Sequence, residues 1–359
     1  MSLTSERVEI PADPYEQYAR AREERWSDGV PMFPATDAVV EALLAASPYP
    51  GDHALCVLPP CNGVATVELV AINAAMAGVE PAAFPVVLAA LEAMSEPEWN
   101  AFGLTTTTSS VFPMLIVNGP CRDELQIDYR AGCMGGAAGR GSMTIGRAVA
   151  LCLRNIGGQR AGETTKSVFG QPARFGFCIG EWEERSPWAP LSVRRGFSTD
   201  QDVVTVHGGK GTFPLADIHN DDPRDLLSLI AKSLAYPLAN PFLGNVENGE
   251  IVVAFNPMWA QRFGEAFPDV ENLQAYLRDN AYQPIELWPA ANAAILRDHG
   301  RVDTEGRVHL FDRPDQFVPI VCGGLGSLHA IALPSFGESQ LQSKAVIRPA
   351  SERTSATGP

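Results

Sequence analysis

Short apolar runs that end in a turn occur four times, and they constrain the fold of this chain more than any other feature. The runs are "ALCVLPPCNG", "PMLIVNGPC", "EIVVAFNPM" and "FVPIVCGGLG". They are rich in Val and Ile and lack polar alternation, which is typical of strands covered on both faces. The sequence therefore predicts an α/β fold, with a mixed or mostly parallel sheet, covering helices and a β-rich insertion or second lobe.

Helical patterns and a change in composition divide the chain. Asp13 and Pro14 begin a polar helix near the N-terminus, and Thr36 begins an amphipathic helix that ends before the turn at 48–51. A Gly-, Arg- and Trp-rich stretch separates the two α/β regions. The predicted units are an N-terminal surface helix in 1–33, an α/β lobe in 34–156, a β-rich insertion in 157–215, a second α/β portion in 216–349 and a tail in 350–359.

Charge and cysteine usage limit the possible partners. Lys and Arg number 27 against 42 Asp and Glu, for a formal charge of −15, which disfavours binding to nucleic acid. No run reaches the roughly 18 apolar residues of a membrane span, and the charged N-terminus lacks a signal-peptide core. Seven cysteines without a C-x-x-C pair favour free thiols in a reducing compartment. We therefore expect a cytoplasmic protein.

The stretch "CNGVATVELVAINAAMAGVEP" places Cys61 ahead of an apolar helix. A thiolate at a helix N-terminus is stabilised by unpaired N–H groups, so Cys61 is a candidate nucleophile. Glu68 interrupts the apolar helix, and burial would raise the pKa of its carboxyl group toward a useful general acid or base. The alternatives are a buried structural thiol at Cys61 and a hydrogen bond between helices at Glu68.

A glycine-rich segment, "YRAGCMGGAAGRGSMTIGRAVALCLRNIGG", precedes another helix. Flexible backbone before a helix N-terminus can present N–H groups to an anion, and a nearby arginine would reinforce them. Cys133 in this segment is a second candidate thiol. The candidate substrate-binding residues here are Gly135, Gly136, Arg140 and Thr144; Arg147 is the alternative to Arg140, and Ser142 or Thr144 is expected to cap the following helix. The segment matches neither the P-loop nor the dinucleotide fingerprint, and a plain flexible loop is the alternative.

Residues that follow the predicted strands are further candidates, because ligands in α/β sheets bind beyond the carboxyl ends of strands. Asn118 ends one run, Glu181 follows another, and Gly323 and Gly324 form the turn after "FVPIVC". His329 is a candidate base for a thiol, since imidazole titrates near neutrality. A solvated loop acid and a core histidine are the alternatives for Glu181 and His329.

Several of these blocks together resemble a known bacterial family. They are "LPPCNGVATVELVAINAAMAGVEPAAFPVVLAALEAM", "IVNGP", "TIGRAVALCLRNIGG", "FCIGEWEERSPWAPLSVRRGF" and "CGGLGSLHA". The family accompanies, or is fused to, small UGSC-type proteins that carry a Cys/Sec-Gly-Ser-Cys motif. The resemblance covers Pro34 to Ile347 and implies a large subunit that pairs with a small subunit bearing reactive thiols.

The chain departs from the family pattern at several positions. It has no C-G-S-C of its own, and Met258 and Trp259 stand where Glu and His are expected. Ser327 and Leu328 stand where a Lys near His329 is usual. Cys61 and Cys121 are further departures. These changes are consistent with a shifted, specialised or lost activity.

The leading hypothesis is a thiol-dependent enzyme of the lyase, hydrolase or redox type that acts on a small anionic organic substrate. A cysteine serves as nucleophile or redox group, with His329 or Glu68 as acid or base. One alternative is a non-catalytic binding or scaffold subunit. Another is a metal-assisted hydrolase or lyase that uses His329 with Glu181 or Cys133. We predict no organic cofactor, and we expect a homo- or hetero-oligomer.

Overall fold

Twelve strands are present among the described residues of the computed structural model, which covers 3–135, 141–238, 249–326 and 328–349. In chain order they are β1 Ala54–Leu58, β2 Gly63–Thr66, β3 Phe112–Asn118, β4 Cys178–Gly180, β5 Val203–Gly209, β6 Phe213–Ala216, β7 Ile251–Phe255, β8 Tyr282–Pro284, β9 Arg307–His309, β10 Phe317–Val321, β11 His329–Pro334 and β12 Gln342–Ala345. The predicted tail, 350–359, lies outside the described residues.

The helices surround these strands. Those in the described ranges are α1 Pro14–Glu23, α2 Asp37–Ala45, α3 Val67–Ala77, α4 Phe84–Met94, α5 Ala101–Thr106, α6 Cys121–Glu124, α7 Ser142–Asn155, α8 Leu191–Arg194, α9 Pro223–Leu238, α10 Pro257–Ala266, α11 Val270–Asn280 and α12 Ala290–Asp298. Asp13 caps α1 as predicted, accepting hydrogen bonds from the N–H groups of Tyr15 and Glu16. Within these ranges, no helix is both long enough and apolar enough to cross a lipid bilayer.

The central strands form two four-stranded sheets of the same design. The first has the order β4-β3-β5-β12, and the second has the order β10-β7-β11-β6. In each sheet the first two strands are parallel and the others pair antiparallel. The sheets exchange an edge strand, because β6 follows β5 but joins the second sheet, while β12 follows β11 but joins the first. The two sheets therefore share one strand topology, although the sequence shows no fixed-period repeat.

Each sheet is apolar on both faces, as the sequence predicted for its central strands. On β3, Leu115 and Val117 pack against helices, whereas Met114 and Ile116 face the second sheet. The strand β7 has the same alternation, and Val252 and Ala254 complete the layer between the sheets. The order of layers is helices, sheet, sheet, helices. The predicted α/β fold is confirmed, and its sheets are mixed.

The segment 157–215 is integrated with the sheets. It supplies β4 and β5 to the first sheet and ends in β6, which pairs with β11 of the second sheet.

The N-terminal segment is attached to the first layer of helices by an ion pair. Arg147 of α7 forms a two-pronged ion pair with Asp28 (2.8 and 2.9 Å). The domain boundaries drawn from the sequence stay a prediction.

Candidate active site

A cavity of about 380 Å³ lies at the carboxyl ends of β7 and β10. Two cysteines, one histidine, one asparagine and a glycine turn supply most of its polar lining. The lining residues are Gly132, Cys133, Met134, Ala254, Asn256, Cys322, Gly323, Gly324, Gly326, His329, Ala330 and Ile331. We call this cavity the paired-thiol pocket. Its volume lies within the range of small-molecule sites, which is roughly 300–1,000 Å³.

The register of the second sheet brings Asn256 and Cys322 side by side. Phe255 of β7 is paired with Val321 of β10, so the residue after each strand leaves the sheet at the same edge. The N–H of Cys322 donates to the carbonyl of Phe255 (3.1 Å), and the N–H of Asn256 donates to the carbonyl of His329 (3.0 Å). The side chain of Asn256 accepts from the N–H of Trp259 and caps α10. Backbone hydrogen bonds thus fix three lining residues together.

Cys133 arrives from the first half of the chain on a turn that packs against the glycine turn. Its N–H donates to the carbonyl of Arg130 (3.1 Å), and the N–H of Gly323 donates to the carbonyl of Tyr129 (2.9 Å). A Cβ on Gly324 would lie 3.2 Å from the Cβ of Ala131, so the two turns are in close contact. This contact holds Cys133 beside Cys322.

The two thiols differ in their ionisation. A hydrogen bond from Cys322 lowers the pKa of Cys133. Burial acts in the opposite direction, and a hydrogen bond from the N–H of Gly323 lowers the pKa further. The same hydrogen bond, together with burial, raises the pKa of Cys322 well above its ordinary value. Each residue is only 4% exposed. Cys133 is therefore the more easily ionised of the two thiols, with Cys322 as its neighbouring donor, an arrangement found around activated thiol nucleophiles.

The predicted site residues Cys133, His329, Gly323 and Gly324 therefore meet in one cavity. His329 is exposed at the start of β11, at the rim of the pocket. Gly135 is adjacent in sequence to the lining residue Met134, whereas Gly136 and Arg140 lie outside the described residues. Cys322 and Asn256 are not among the candidates chosen from the sequence, although both stand in strand-ending turns that the sequence analysis singles out.

Asn118 and Glu181 form the counterpart of Asn256 and Cys322 in the first sheet. Val117 is paired with Gly180, and the N–H of Glu181 donates to the carbonyl of Val117 (3.1 Å), as Cys322 does to Phe255. The fully buried carboxylate of Glu181 accepts from Asn118 Nδ2 (2.7 Å) and from the N–H of Leu191 (2.8 Å). Burial raises its pKa, against the charge of Arg194.

Neither Asn118 nor Glu181 is among the residues that line the pocket. The charge of Glu181 contributes to the raised pKa of Cys322, after the effects of Cys133 and burial, so the two groups are electrostatic neighbours. Glu183 and Glu184, which the sequence places in the same acidic cluster, form ion pairs with Arg122 (3.3 and 2.7 Å). Arg122 thus balances part of the negative charge of this acidic cluster.

Cys61 does not lie at a helix N-terminus, contrary to the expectation from the sequence. It is exposed in the turn between β1 and β2, where its N–H donates to the carbonyl of Gly157 (2.9 Å). The helix α3 begins only at Val67, because the β-branched residues Val64 and Thr66 extend a hairpin and Thr66 caps the helix. Cys61 is not among the residues that line the pocket.

The expectation of a raised pKa for Glu68 is also wrong. Burial alone would raise it, but hydrogen bonds from Ser5 and Thr4 outweigh burial and lower the pKa. The carboxylate accepts from the N–H groups of Ser5 (2.7 Å) and Thr4 (2.9 Å), which attaches the N-terminal segment to α3. Glu68 therefore has a structural partner at a distance from the pocket lining.

The helix that follows the glycine-rich segment begins differently from the prediction. The N-cap of α7 is Gly141, and neither Ser142 nor Thr144 caps it with a side chain. Thr144 Oγ1 donates back to the carbonyl of Gly141 (2.8 Å), and Ser142 Oγ accepts from the N–H of Asp128 (2.6 Å). Arg147 is engaged with Asp28, so it does not reinforce an anion site here.

Comparison of the chain with protein-family models, curated proteins and solved structures gives no match. Among the described residues, no three His, Cys, Asp or Glu side chains are grouped so as to hold a metal ion. The functional argument therefore depends on the geometry of the paired-thiol pocket.

Proposed function

We propose that this protein is a thiol-dependent enzyme that binds a small organic substrate in the paired-thiol pocket and attacks it with Cys133. The observation that carries the proposal is the pairing of Cys133 and Cys322 in one cavity with His329. A cysteine with a lowered pKa beside an acid–base group in a cleft is the arrangement that nucleophilic catalysis requires.

Each lining residue has a role in this proposal. The thiolate of Cys133 is the nucleophile, and the thiol of Cys322 stabilises it by donating a hydrogen bond. His329 gives or takes a proton at the rim, where its side chain is exposed to solvent. The backbone of Gly323 and Gly324 leaves room for a substrate group to approach the main chain.

The finer features of the proposal come from the sequence. An anionic substrate was predicted from the glycine-rich segment, whose Arg140 lies outside the described residues. A small UGSC-type thiol protein is proposed as a partner from the family resemblance, and co-purification with that protein would test it. A cytoplasmic location is supported by seven free cysteines, six of which are buried.

Alkylation kinetics test the nucleophile. The full-length protein is treated with iodoacetamide at neutral pH, and each cysteine is quantified by peptide mapping against a free-thiol standard. We expect Cys133 to react faster than the standard, because its thiolate is stabilised within a cavity that admits small reagents. A rate at Cys133 equal to or below that of the standard would overturn the proposal.

Two variants serve as controls. Cys133→Ser should abolish the fast reaction and leave the others unchanged. Cys61→Ser removes the exposed thiol outside the pocket and should leave the fast reaction intact. If the fast reaction disappears with Cys61 instead, the reactive thiol lies in the β1–β2 turn and not in the pocket.

A further inference from the structure

The paired thiols are suited to one type of reaction more than to the others. The side chains of Cys133 and Cys322 line the same cavity, and the turns that carry them are in contact, because the N–H of Gly323 donates to the carbonyl of Tyr129 and Gly324 lies against Ala131. Two thiols on adjacent turns of one cavity can form a disulfide when their sulfurs approach each other.

We propose that Cys133 and Cys322 form a redox-active dithiol that reduces a small organic disulfide bound in the paired-thiol pocket. This inference rests on the proposed function and specifies its substrate class. The cavity of about 380 Å³ is large enough for an organic molecule. Its apolar lining residues, Met134, Ala254 and Ile331, would contact the substituents of such a substrate.

The first step is thiol–disulfide exchange at Cys133. Its thiolate attacks one sulfur of the substrate, a bond forms between Cys133 and that sulfur, and the substrate S–S bond breaks. One substituent leaves as a thiolate. The product is a mixed disulfide on Cys133, and the negative charge next to Cys322 is gone.

The second step follows from that loss of charge. The Cys133 thiolate is the first cause of the raised pKa of Cys322, so formation of the mixed disulfide makes Cys322 easier to ionise. Cys322 then loses its proton and attacks the sulfur of Cys133, and the second substituent leaves with that proton as a thiol. Two electrons have passed to the substrate, and the protein holds a Cys133–Cys322 disulfide. Two equivalents of a low-molecular-weight thiol then reduce the Cys133–Cys322 disulfide. This restores the dithiol and releases the disulfide of the added thiol.

The turns that hold the two cysteines favour this cycle. Gly323 donates to Tyr129, and Gly324 lies against Ala131, so the backbone keeps both sulfurs adjacent in either redox state. The other cysteines are separated from the pocket lining. Cys121, Cys152 and Cys178 are buried, and burial raises the pKa of each of them, which makes them poor competitors for a disulfide.

The test uses the reduced full-length protein in a Cys61→Ser background, which removes the exposed thiol. The probe is 5,5′-dithiobis(2-nitrobenzoate), in which each exchange releases a coloured thiolate. We expect two fast equivalents of thiolate per chain, and non-reducing peptide mapping should show Cys133 linked to Cys322. With Cys322→Ala added, we expect one fast equivalent and retention of the aromatic group on Cys133.

The outcomes separate this inference from the proposed function. If Cys133 is alkylated rapidly but no Cys133–Cys322 linkage forms, the dithiol inference is wrong and the nucleophile remains. If Cys133 is not reactive at all, both fail. The linkage is measured in protein that retains both cysteines, so the result does not depend on folding of the Cys322 variant.

Discussion

Glu250 provides a test of how the two sheets are held together. It lies just before β7, and its carboxylate accepts from the N–H of Leu341, just before the exchanged strand β12. Its backbone N–H donates to Ser335 Oγ (2.8 Å), and its carbonyl accepts from the N–H of Ser335 (3.1 Å). Burial raises the pKa of Glu250 from 4.5 to about 7, against the N–H of Leu341 and the charges of Arg195 and Arg313, while Asp315 adds to the rise.

The direction of the pH effect follows from this raised pKa. Below pH 4.5 the carboxyl is protonated in both states, and it contributes no pH dependence. Between pH 4.5 and about 7 the unfolded chain releases a proton that the folded protein keeps, so stability falls as pH rises. Above that range the carboxyl is ionised in both states, and the free-energy cost of ionising it in the folded protein is constant. At about 1.4 kcal/mol per pKa unit, this cost reaches about 3 kcal/mol.

Replacement of Glu250 by glutamine removes the titration and keeps an acceptor for Leu341. The free energy of unfolding should be measured by urea denaturation at about pH 5 and about pH 8 for wild type and Glu250→Gln. We expect the stability of the variant relative to wild type to increase by about 2 to 3 kcal/mol between these conditions. The exposed Glu41→Gln serves as the matched control and should show no such change. A constant difference between wild type and Glu250→Gln at both pH values would refute the reasoning.

Three further predictions concern the pocket and its supports. Cys322→Ala removes the donor to Cys133, so the pH midpoint of Cys133 alkylation should rise; an unchanged midpoint would contradict the hydrogen bond. Gly63→Ala places a Cβ 1.9 Å from the carbonyl oxygen of Ile156, so it should lower the unfolding free energy by about 1 to 3 kcal/mol in urea, unlike Gly51→Ala, whose Cβ has ordinary contacts. Asn256→Ala removes the cap of α10 and should lower the free energy of unfolding by about 1 kcal/mol in the same assay. Asn272→Ala, in the first turn of α11, is the control, and an equal loss there would argue against a capping role for Asn256.

The fold class could be predicted from the sequence because burial on both faces of a strand leaves a local pattern. Runs such as "PMLIV" and "IVVAF" are apolar throughout, and they lie in β3 and β7. The exchange of β6 and β12 could not be predicted, since both strands are short and at least partly exposed along their length. Their pairing is decided by contacts between distant parts of the chain, which local composition does not encode.

The turns that contribute residues to the pocket could be predicted from the sequence, but the contacts between those turns could not. His329 and Gly323 stand beside strand ends, where α/β proteins bind ligands, and the structure brings them to one cavity with Cys133. Cys322 was not distinguished from six other cysteines, because its significance depends on the register between β7 and β10. Cys61 was misplaced relative to α3, because a short hairpin strand with a threonine cap delays the helix start.

The edge strands exchanged between the two sheets have a mechanical consequence for the chain. Neither half contains a complete sheet, because the first needs β12 from the end of the chain and the second needs β6 from its middle. A cut in the linker after β6 should therefore yield fragments that acquire stable structure only when they are recombined. A hinge between the halves would have to break sheet hydrogen bonds before it could open.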